Sequence, residues 1–320
     1  MKTRTFLKAL GLAATIPSAT VWAQSGSGRT IRVIVPLPAG SSNDTSTRAQ
    51  APVIAQLLGQ PVVVDNKAGG GGVIGTMEVV RAAPDGLTLM AGSLSPLAIN
   101  MALVKNMSYD PRRDLTAIAG STLTNHVMVV RADSPIKSFA DFIAYAKQRP
   151  GKVTVGYSTS LVQLQIASIN KMAGIDILPV PYKGAPATVT DTIGGVLDAT
   201  MANPGPAIEM VKGGRLRALG VTSLKRNVNT PDWPALSETL PGFDFGAWNA
   251  WVGPAGMPRE LVNRISTAIG QALRKPEIVQ QLAQEATQPL IMGPDETRAY
   301  IEAEVAKFIR LAKEAGIQPE

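Results

Sequence analysis

Several kinds of chemistry are excluded by what this chain lacks. Its 320 residues include no cysteine, so they form no disulfide, thiolate metal site or cysteine nucleophile. There is one histidine, His126, and no G-x-S-x-G string, so a hydrolase triad lacks both its base and its usual nucleophile motif. H-E-x-x-H strings and acidic clusters at metal-ligand spacing are also absent from the sequence. We therefore expect a non-enzymatic protein without cofactor or metal, in which His126 is a structural residue.

The charge of the chain is modest and scattered. Charged residues make up 17% and hydrophobic residues 45%, which is typical of a globular chain that builds a core. The formal net charge of +7 includes three positive residues among the first 23, so the rest carries +4. Its basic residues form no stripe interleaved with aromatics, which argues against nucleic-acid binding. The surplus is better suited to a mild attraction for small anions.

The N-terminus has the pattern of an export signal. Lys2, Arg4 and Lys8 precede a short Ala-rich apolar run, and Val21-Trp22-Ala23 offers small residues for cleavage after Ala23. We therefore predict a signal peptide over residues 1–23 and a periplasmic mature protein. The string from Arg4 to Lys8 resembles a twin-arginine motif with one arginine replaced, which leaves the export route open. No later run reaches the roughly 18 apolar residues of a membrane span.

A strand, a loop and a helix open the mature chain. The β-branched run Ile31–Val35 predicts a buried strand, and a helical pattern extends from about Asp44 to Leu58, with Pro52 expected to kink it. The loop between them, 36–43, is rich in Pro, Gly and Ser and leads into a helix N-terminus, where backbone dipoles favour an anion. It is either half of an anion-binding cradle or an ordinary loop whose Ser and Asp cap the helix.

A glycine run follows the second predicted strand. Gly70, Gly72 and Gly75 fit the G-x-G-x-x-G spacing of dinucleotide sites, but no acidic residue follows where a ribose would need one. A flexible loop that steers a helix onto the sheet is the better interpretation. The third strand, near Leu87 to Ala91, ends in a second Ser-rich loop that contains Ser93 and Ser95. Such loops after strands are where open α/β sheets bind ligands.

A second series of strands and helices fills the middle of the chain. A strand near Val153 to Tyr157 runs into a third hydroxyl-rich loop, Ser158–Ser160, and then into a helix. The loop at 181–184 and Asn203 follow the next two strands. Strands alternating with helices over short connections predict parallel, doubly wound sheets, and two series predict two lobes. The C-terminal part is mostly helical and is expected to cover the first lobe.

Taken in order, several strings resemble one protein family. Residues 35–44 (VPLPAGSSND) resemble the pattern V-P-[FY]-x-x-G-G-x-x-D, and residues 59–66 with the glycines to Gly75 resemble G-Q-x-V-V-V-E-N…G-G-x-G-x-x-G. The strings at 83–86, 180–184, 216–219 and 254–256 also match. Together they resemble the periplasmic solute receptors of tripartite tricarboxylate transporters, called Bug-type receptors, over essentially the whole mature chain.

The resemblance implies a two-lobed periplasmic binding protein fold, or Venus flytrap, in which each lobe is a doubly wound sheet flanked by helices. From the two strand–helix series and the helical C-terminal part, we expect lobe 1 over residues 24–125 plus 248–320 and lobe 2 over 126–247. Such a receptor binds a small carboxylate between its lobes and delivers it to membrane permease subunits; we expect a monomer. The residues expected to bind ligand are Leu37, Pro38, Ala39, Gly40, Ser41, Ser42, Asp44, Ser93, Ser95, Ser158, Thr159, Ser160, Gln163, Tyr182, Lys183 and Asn203.

Departures from the family pattern concern the ligand. Gln163 stands where the family often has histidine, Ala202 where it has aspartate, and Leu37 where it has an aromatic residue. The loop before Gln163 also lacks the family's internal glycines. These neutral replacements predict a ligand with one carboxylate and an uncharged remainder. Two other functions stay open: an input protein for a membrane sensor kinase and, disfavoured by the missing base, an enzyme on the same frame.

Overall fold

The computed structural model describes residues 28–319, in two mixed sheets flanked by helices. The predicted signal peptide lies outside the described residues. The strands are β1 Ile31–Val35, β2 Val62–Asn66, β3 Thr88–Ser93, β4 Leu115–Asn125, β5 Val127–Arg131, β6 Val153–Tyr157, β7 Ile177–Pro181, β8 Ala199–Ala202, β9 Leu216–Val221, β10 Gly246–Pro254 and β11 Gln288–Pro289.

The helices alternate with these strands in the first two thirds of the chain and then predominate. They are α1 Ser42–Leu58, α2 Val73–Val80, α3 Asn100–Leu103, α4 Pro111–Asp114, α5 Phe139–Lys147, α6 Ser160–Ala173, α7 Ala185–Ile193, α8 Pro204–Lys212, α9 Arg259–Ala272, α10 Pro276–Gln284 and α11 Pro294–Glu314. Short 3₁₀ segments cover Gly70–Gly72 and Leu236–Glu238, and a π-helical turn covers Ser95–Ile99. The first helix continues through Pro52, so this proline does not end it.

The first sheet has the order β11-β4-β10-β3-β1-β2. β1, β2 and β3 pair in parallel, as the alternating pattern predicts, but β10 is antiparallel to both β3 and β4. The expected parallel pairing therefore holds for β1, β2 and β3, and the sheet as a whole is mixed. The sequence interpretation missed β4, because its eleven residues mix small, polar and apolar side chains without a clear period. Pairing with β10 along its length stabilises it as a strand.

The second sheet has the order β7-β6-β8-β5-β9. β6 is parallel to β7 and β8, whereas β5 is antiparallel to β8 and β9. Residues of the first sheet come from 31–125 and 246–289, and those of the second from 127–221. The main chain thus leaves the first sheet once, builds the second, and returns.

Strand registers show which edges of the two sheets meet. In the first sheet, Asn125 at the end of β4 pairs with Gly246 at the start of β10, on the side where β3 ends at Ser93. In the second sheet, Val127 at the start of β5 pairs with Ala202 at the end of β8. The chain therefore crosses between the sheets at the carboxyl ends of the parallel strands in both. The loops after those strands face the same junction.

The C-terminal helices pack against the first sheet and its helices. α9 contacts α1 and β4, and α11 contacts β4, α3 and the π-helical turn. Trp248 and Trp251 on β10 are almost fully buried beneath them. Trp248 donates through Nε1 to Glu304 on α11 at 2.9 Å, which gives this buried carboxylate a partner. α11 also reaches the second sheet's helices, where Lys171 on α6 and Glu314 form an ion pair at 3.0 Å.

The glycine run serves chain packing. Gly69 to Gly72 all have positive φ, which suits glycine, and Asn100 donates to the Gly71 carbonyl at 3.0 Å. A Cβ on Gly75 would lie 2.8 Å from the Lys67 carbonyl oxygen. These close approaches explain the glycines as a loop that places α2 on the sheet.

Candidate functional site

The loop before α1 is fixed by one buried carboxylate. Asp44, 3% exposed, accepts hydrogen bonds from the Gly40 amide at 2.8 Å, Arg48 Nε at 2.9 Å and Asn66 Nδ2 at 3.0 Å. Burial alone would raise the pKa of this carboxyl, but the bonds from Gly40, Arg48 and Asn66 outweigh it and hold the pKa below its ordinary value. Asp44 thus stays ionised and positions the loop.

The helix cap is Ser41, whose hydroxyl accepts from the Asp44 amide at 3.3 Å. The sequence offered both Ser and Asp as caps of this helix; Ser41 is the cap, whereas the Asp44 carboxylate accepts from the Gly40 amide before the helix. With Asp44 bonded to Gly40 and its carboxylate buried, neither the Gly40 amide nor that carboxylate is free for a ligand. Both residues were among the expected ligand contacts, and their place in the structure suits them to hold the loop.

Three backbone amides at this loop have no hydrogen-bond acceptor among residues 28–319. They belong to Ala39, Ser42 and Asn43, the last two being the first residues of α1. The Asn43 side chain donates to the Ala91 carbonyl at 2.8 Å, which ties the helix start to β3. Unpaired amides at the positive end of a 17-residue helix are suited to bind an anion.

A buried hydroxyl lies at the end of β3. Ser93 pairs in register with Asn249 of β10, and its Oγ is buried without a hydrogen-bond partner. Ser95 begins the π-helical turn that follows. An unpartnered buried hydroxyl is costly unless water or a ligand satisfies it.

The facing loop of the second sheet has fewer internal bonds. Thr159 caps α6 by accepting from the Val162 amide at 3.3 Å, and the Gln163 amide donates to the Thr159 carbonyl at 3.1 Å. The amides of Ser160 and Leu161 find no acceptor among the described residues. This loop therefore presents a second helix N-terminus to the same junction.

Two neighbouring loops complete this edge. The Tyr182 hydroxyl donates to Asp191 at 2.6 Å, and this bond raises the pKa of Tyr182. The hydroxyl is thus directed at α7, although the Tyr182 ring is half-buried at the edge. Lys183 is exposed and forms no ion pair with any residue in 28–319. Asn203, before α8, is exposed and makes no side-chain cap.

Strand order places the expected residues on the sheet edges where the chain crosses, and no hydrogen bond within residues 28–319 joins the group of the first sheet to the group of the second. Exposed members are Pro38, Ala39, Gly40, Ser42, Thr159, Ser160, Lys183 and Asn203; half-buried members are Leu37, Ser41, Ser93, Ser95, Ser158, Gln163 and Tyr182; Asp44 is buried. All except Asp44 thus expose some surface.

The residues at the crossover between the two sheets make contacts that the sequence did not reveal. His126 lies between β4 and β5; its amide donates to Thr222 Oγ1 at 3.0 Å, and the Thr222 amide donates to the His126 carbonyl at 2.9 Å. The imidazole Nδ1 lies 3.2 Å from Gln165 Oε1 on α6. Burial lowers the pKa of His126, and the bond to Gln165 partly opposes this. No motif in the sequence identifies these residues as neighbours.

The described part of the chain contains neither a metal-binding cluster nor a membrane-spanning helix. Within it, no three His, Asp or Glu side chains cluster as metal ligands. No helix between residues 28 and 319 is long and apolar enough to cross a membrane. Among the cavities of the described residues, one of about 290 Å³ lies between α4, α9 and α11, and one of about 800 Å³ lies between α6 and α11.

Comparison with known proteins agrees with this geometry. The protein BugT of Bordetella pertussis is 33% identical over 315 residues, covering 97% of this chain and 95% of that protein. An adipate-bound structure from R. palustris has a TM-score of 0.78 at 29% identity, covering 93% of this chain and 100% of the other. The structure of MatC from Rhodopseudomonas palustris with bound malate has a TM-score of 0.71 at 26% identity, covering 88% of this chain and 98% of the other.

The fold is therefore the two-lobed α/β fold of periplasmic binding proteins. The model of the tripartite tricarboxylate transporter family receptor matches residues 47–317, which is most of the chain. This protein belongs to the family of tripartite tricarboxylate transporter receptors.

Proposed function

We propose that this protein is an extracytoplasmic receptor that binds a small organic acid between its lobes and delivers it to the membrane permease of its transporter. The observation that carries the proposal is the pair of helix N-termini, at α1 and α6, whose unpaired amides face one junction. Relatives of this chain bind adipate and malate, both dicarboxylates. No acid–base pair accompanies the amides, which suits binding without turnover.

The lobes proposed are residues 24–125 plus 248–320 and residues 126–247. Their support is the strand content of the two sheets and the packing of α9 and α11 on the first sheet. Closure would then occur around the crossovers at His126 and at 222–245. A cleft between lobes is a common place for a small-molecule site.

Within the cleft, the first carboxylate would bind the amides of Ala39, Ser42 and Asn43, with hydroxyls of Ser41 and Ser42 beside them. The far end of the solute would meet Ser158, Thr159, Ser160 and Gln163. These side chains are neutral, which supports an uncharged remainder. Lys183 and the dipole of α6 add positive potential at the rim, which would help attract the anion.

Export by cleavage after Ala23 belongs to the same proposal, since a periplasmic receptor must cross the inner membrane. The mature protein would then act in the periplasm. Delivery to a permease distinguishes this proposal from an input protein for a sensor kinase. A receptor for transport is required for uptake of its solute, so deletion of the gene would abolish uptake in growing cells.

The direct test is a thermal-shift screen of the mature protein against mono-, di- and tricarboxylates, with amides of the same acids as matched probes. A ligand at about 100 times its Kd stabilises by roughly 2.7 kcal/mol, which shifts Tm by several degrees. The compound should be recovered unchanged after incubation, as shown by mass spectrometry. Failure of every carboxylate to stabilise the protein would refute the proposed function.

A further inference from the structure

Two nitrogen atoms beside the crossover have no hydrogen bond within residues 28–319. Gln165 is 0% exposed; its Oε1 is engaged with His126 Nδ1 at 3.2 Å, but its Nε2 is buried without a partner. The Nε2 of His126 also forms no hydrogen bond there, and the His126 side chain is half-buried. A buried amide donor without an acceptor is destabilising, so its retention calls for a partner.

This pair lies where the chain crosses from the first sheet to the second, beside the first turns of α6. His126 connects β4 to β5, and Thr222 holds its backbone from both sides, while Thr222 Oγ1 donates to the Phe245 carbonyl at 2.8 Å. Gln165 follows Ser160 by five residues, about 7.5 Å along the axis of α6. Lobes of such folds move about their crossovers, so opening would uncover a group buried beside one.

The pair offers complementary hydrogen-bonding groups. With the imidazole proton on Nδ1, facing Gln165 Oε1, His126 Nε2 is an acceptor and Gln165 Nε2 is a donor. One donor beside one acceptor matches a carboxamide. When the imidazole binds a second proton, His126 Nε2 becomes a donor as well. Two donors, His126 Nε2 and Gln165 Nε2, match the two oxygens of a carboxylate.

We propose that His126 and Gln165 receive the far polar group of the bound solute, taking a carboxamide while His126 is neutral and a carboxylate once it is protonated. This inference rests on the proposed function and adds two residues to those proposed to meet the solute's far end. The added proton comes from solvent and is released with the solute. In the free protein, burial lowers the pKa of His126 and so favours the neutral imidazole. The hydrogen bond with the uncharged Gln165 side chain opposes this, and no charged group affects the pKa of His126.

The test compares diacids with their monoamides. Dissociation constants are measured by calorimetry for adipate and adipamate, and for succinate and succinamate, at pH 6.0 and pH 8.0. In the unaltered protein, the ratio of the diacid Kd to the monoamide Kd should rise about threefold or more between these pH values, since a nearby anion raises a histidine pKa by about one unit or more. In His126→Gln the ratio should change less than twofold. Ionisation of the probes is common to both proteins and cancels.

A second variant tests the other nitrogen. Gln165→Met removes the amide at similar volume, and the preference for monoamides at pH 8.0 should be lost. Gln148→Met, at an exposed glutamine after α5, is the matched control and should keep the original ratios. Circular dichroism verifies folding, and either variant alone decides the outcome if the other misfolds.

The results separate two failures. If the unaltered protein binds none of the four probes, this inference is wrong, and the screen above decides whether the proposed function survives with other acids. If the probes bind but His126→Gln and Gln165→Met keep the original ratios and pH dependence, the inference alone is wrong. A purely structural role would lower Tm and leave both ratios unchanged.

Discussion

The loop before α1 and the loop before α6 occupy equivalent places but differ in internal support. In the first, Asp44 accepts three hydrogen bonds, and Asn66 also donates to the Leu37 carbonyl at 3.1 Å. In the second, Thr159 caps the helix, and the Tyr182 amide donates to the Tyr157 carbonyl at 2.8 Å. The first loop is held by a charged, buried anchor, whereas the second depends on neutral bonds.

This difference in support suits the two loops to different roles in ligand binding. A preorganised loop binds an anion with little ordering cost, so the first loop suits the carboxylate that every ligand of the receptor shares. The second loop, with neutral side chains and fewer bonds, suits discrimination among the remainders of these ligands. Changes in the first loop should therefore alter the affinity for all ligands, and changes in the second should alter the order of affinities among ligands.

The largest effect is expected from Ser42→Asp. An added carboxylate at the start of α1 would lie against the ligand's anion and should reduce adipate affinity more than 100-fold, measured by calorimetry. The variant should still fold, because an acidic residue in the first turn of a helix is favourable. Ser42→Asn, which adds similar volume without charge, is the control and should lose far less. Normal binding by Ser42→Asp would show that this loop is not the anion site.

Asp44→Asn should have the next largest effect. Loss of the charged acceptor for Gly40 and Arg48 should lower the free energy of unfolding at pH 7 by about 1.5–3 kcal/mol and weaken carboxylate binding about tenfold. Because folding lowers the Asp44 pKa below its ordinary 3.8, its stabilisation is complete above that pH and is lost as pH falls through the lower, folded value.

Urea unfolding of both proteins at pH 7 and at pH 3 measures this dependence, and the difference between them should shrink at the lower pH. Asp141→Asn is a matched control, since Asp141 also lies in a first helical turn and accepts from the Lys137 amide at 3.1 Å, but is exposed. Equal effects of the two substitutions would contradict the anchoring role of Asp44.

The smallest change in overall affinity is expected from Gln163→Ala. Gln163 is half-buried in the first turns of α6, and alanine supports the helix at least as well. Across a panel of acids and amides, the mean affinity should change by about threefold or less, the size of one modest hydrogen bond, while the order of ligands changes. An unchanged order would assign selectivity to other residues.

Much of the structure around the loop before α1 was predictable from local sequence, but little of the structure at the crossover between the sheets was. Hydroxyl- and glycine-rich residues between a β-branched run and a helical pattern predicted the strand, loop and helix that the structure has at 31–58. The choice of Ser41 as cap and Asp44 as anchor depended on Asn66, 22 residues away. The strand β4 was missed because its pairing partner, β10, is more than 100 residues distant.

The sequence by itself determined the receptor family, the absence of cysteine chemistry, and the placement of hydroxyl-rich loops after strands, because ordered motifs and local patterns carry that information. The tertiary structure alone decided that the chain crosses between the sheets at the carboxyl ends of the parallel strands in both. It also decided that Asp44 accepts from the Gly40 amide and so holds the loop before α1, and that His126 Nδ1 lies beside Gln165 Oε1. These depend on strand order and on contacts between distant segments, and no periodicity within one segment encodes them.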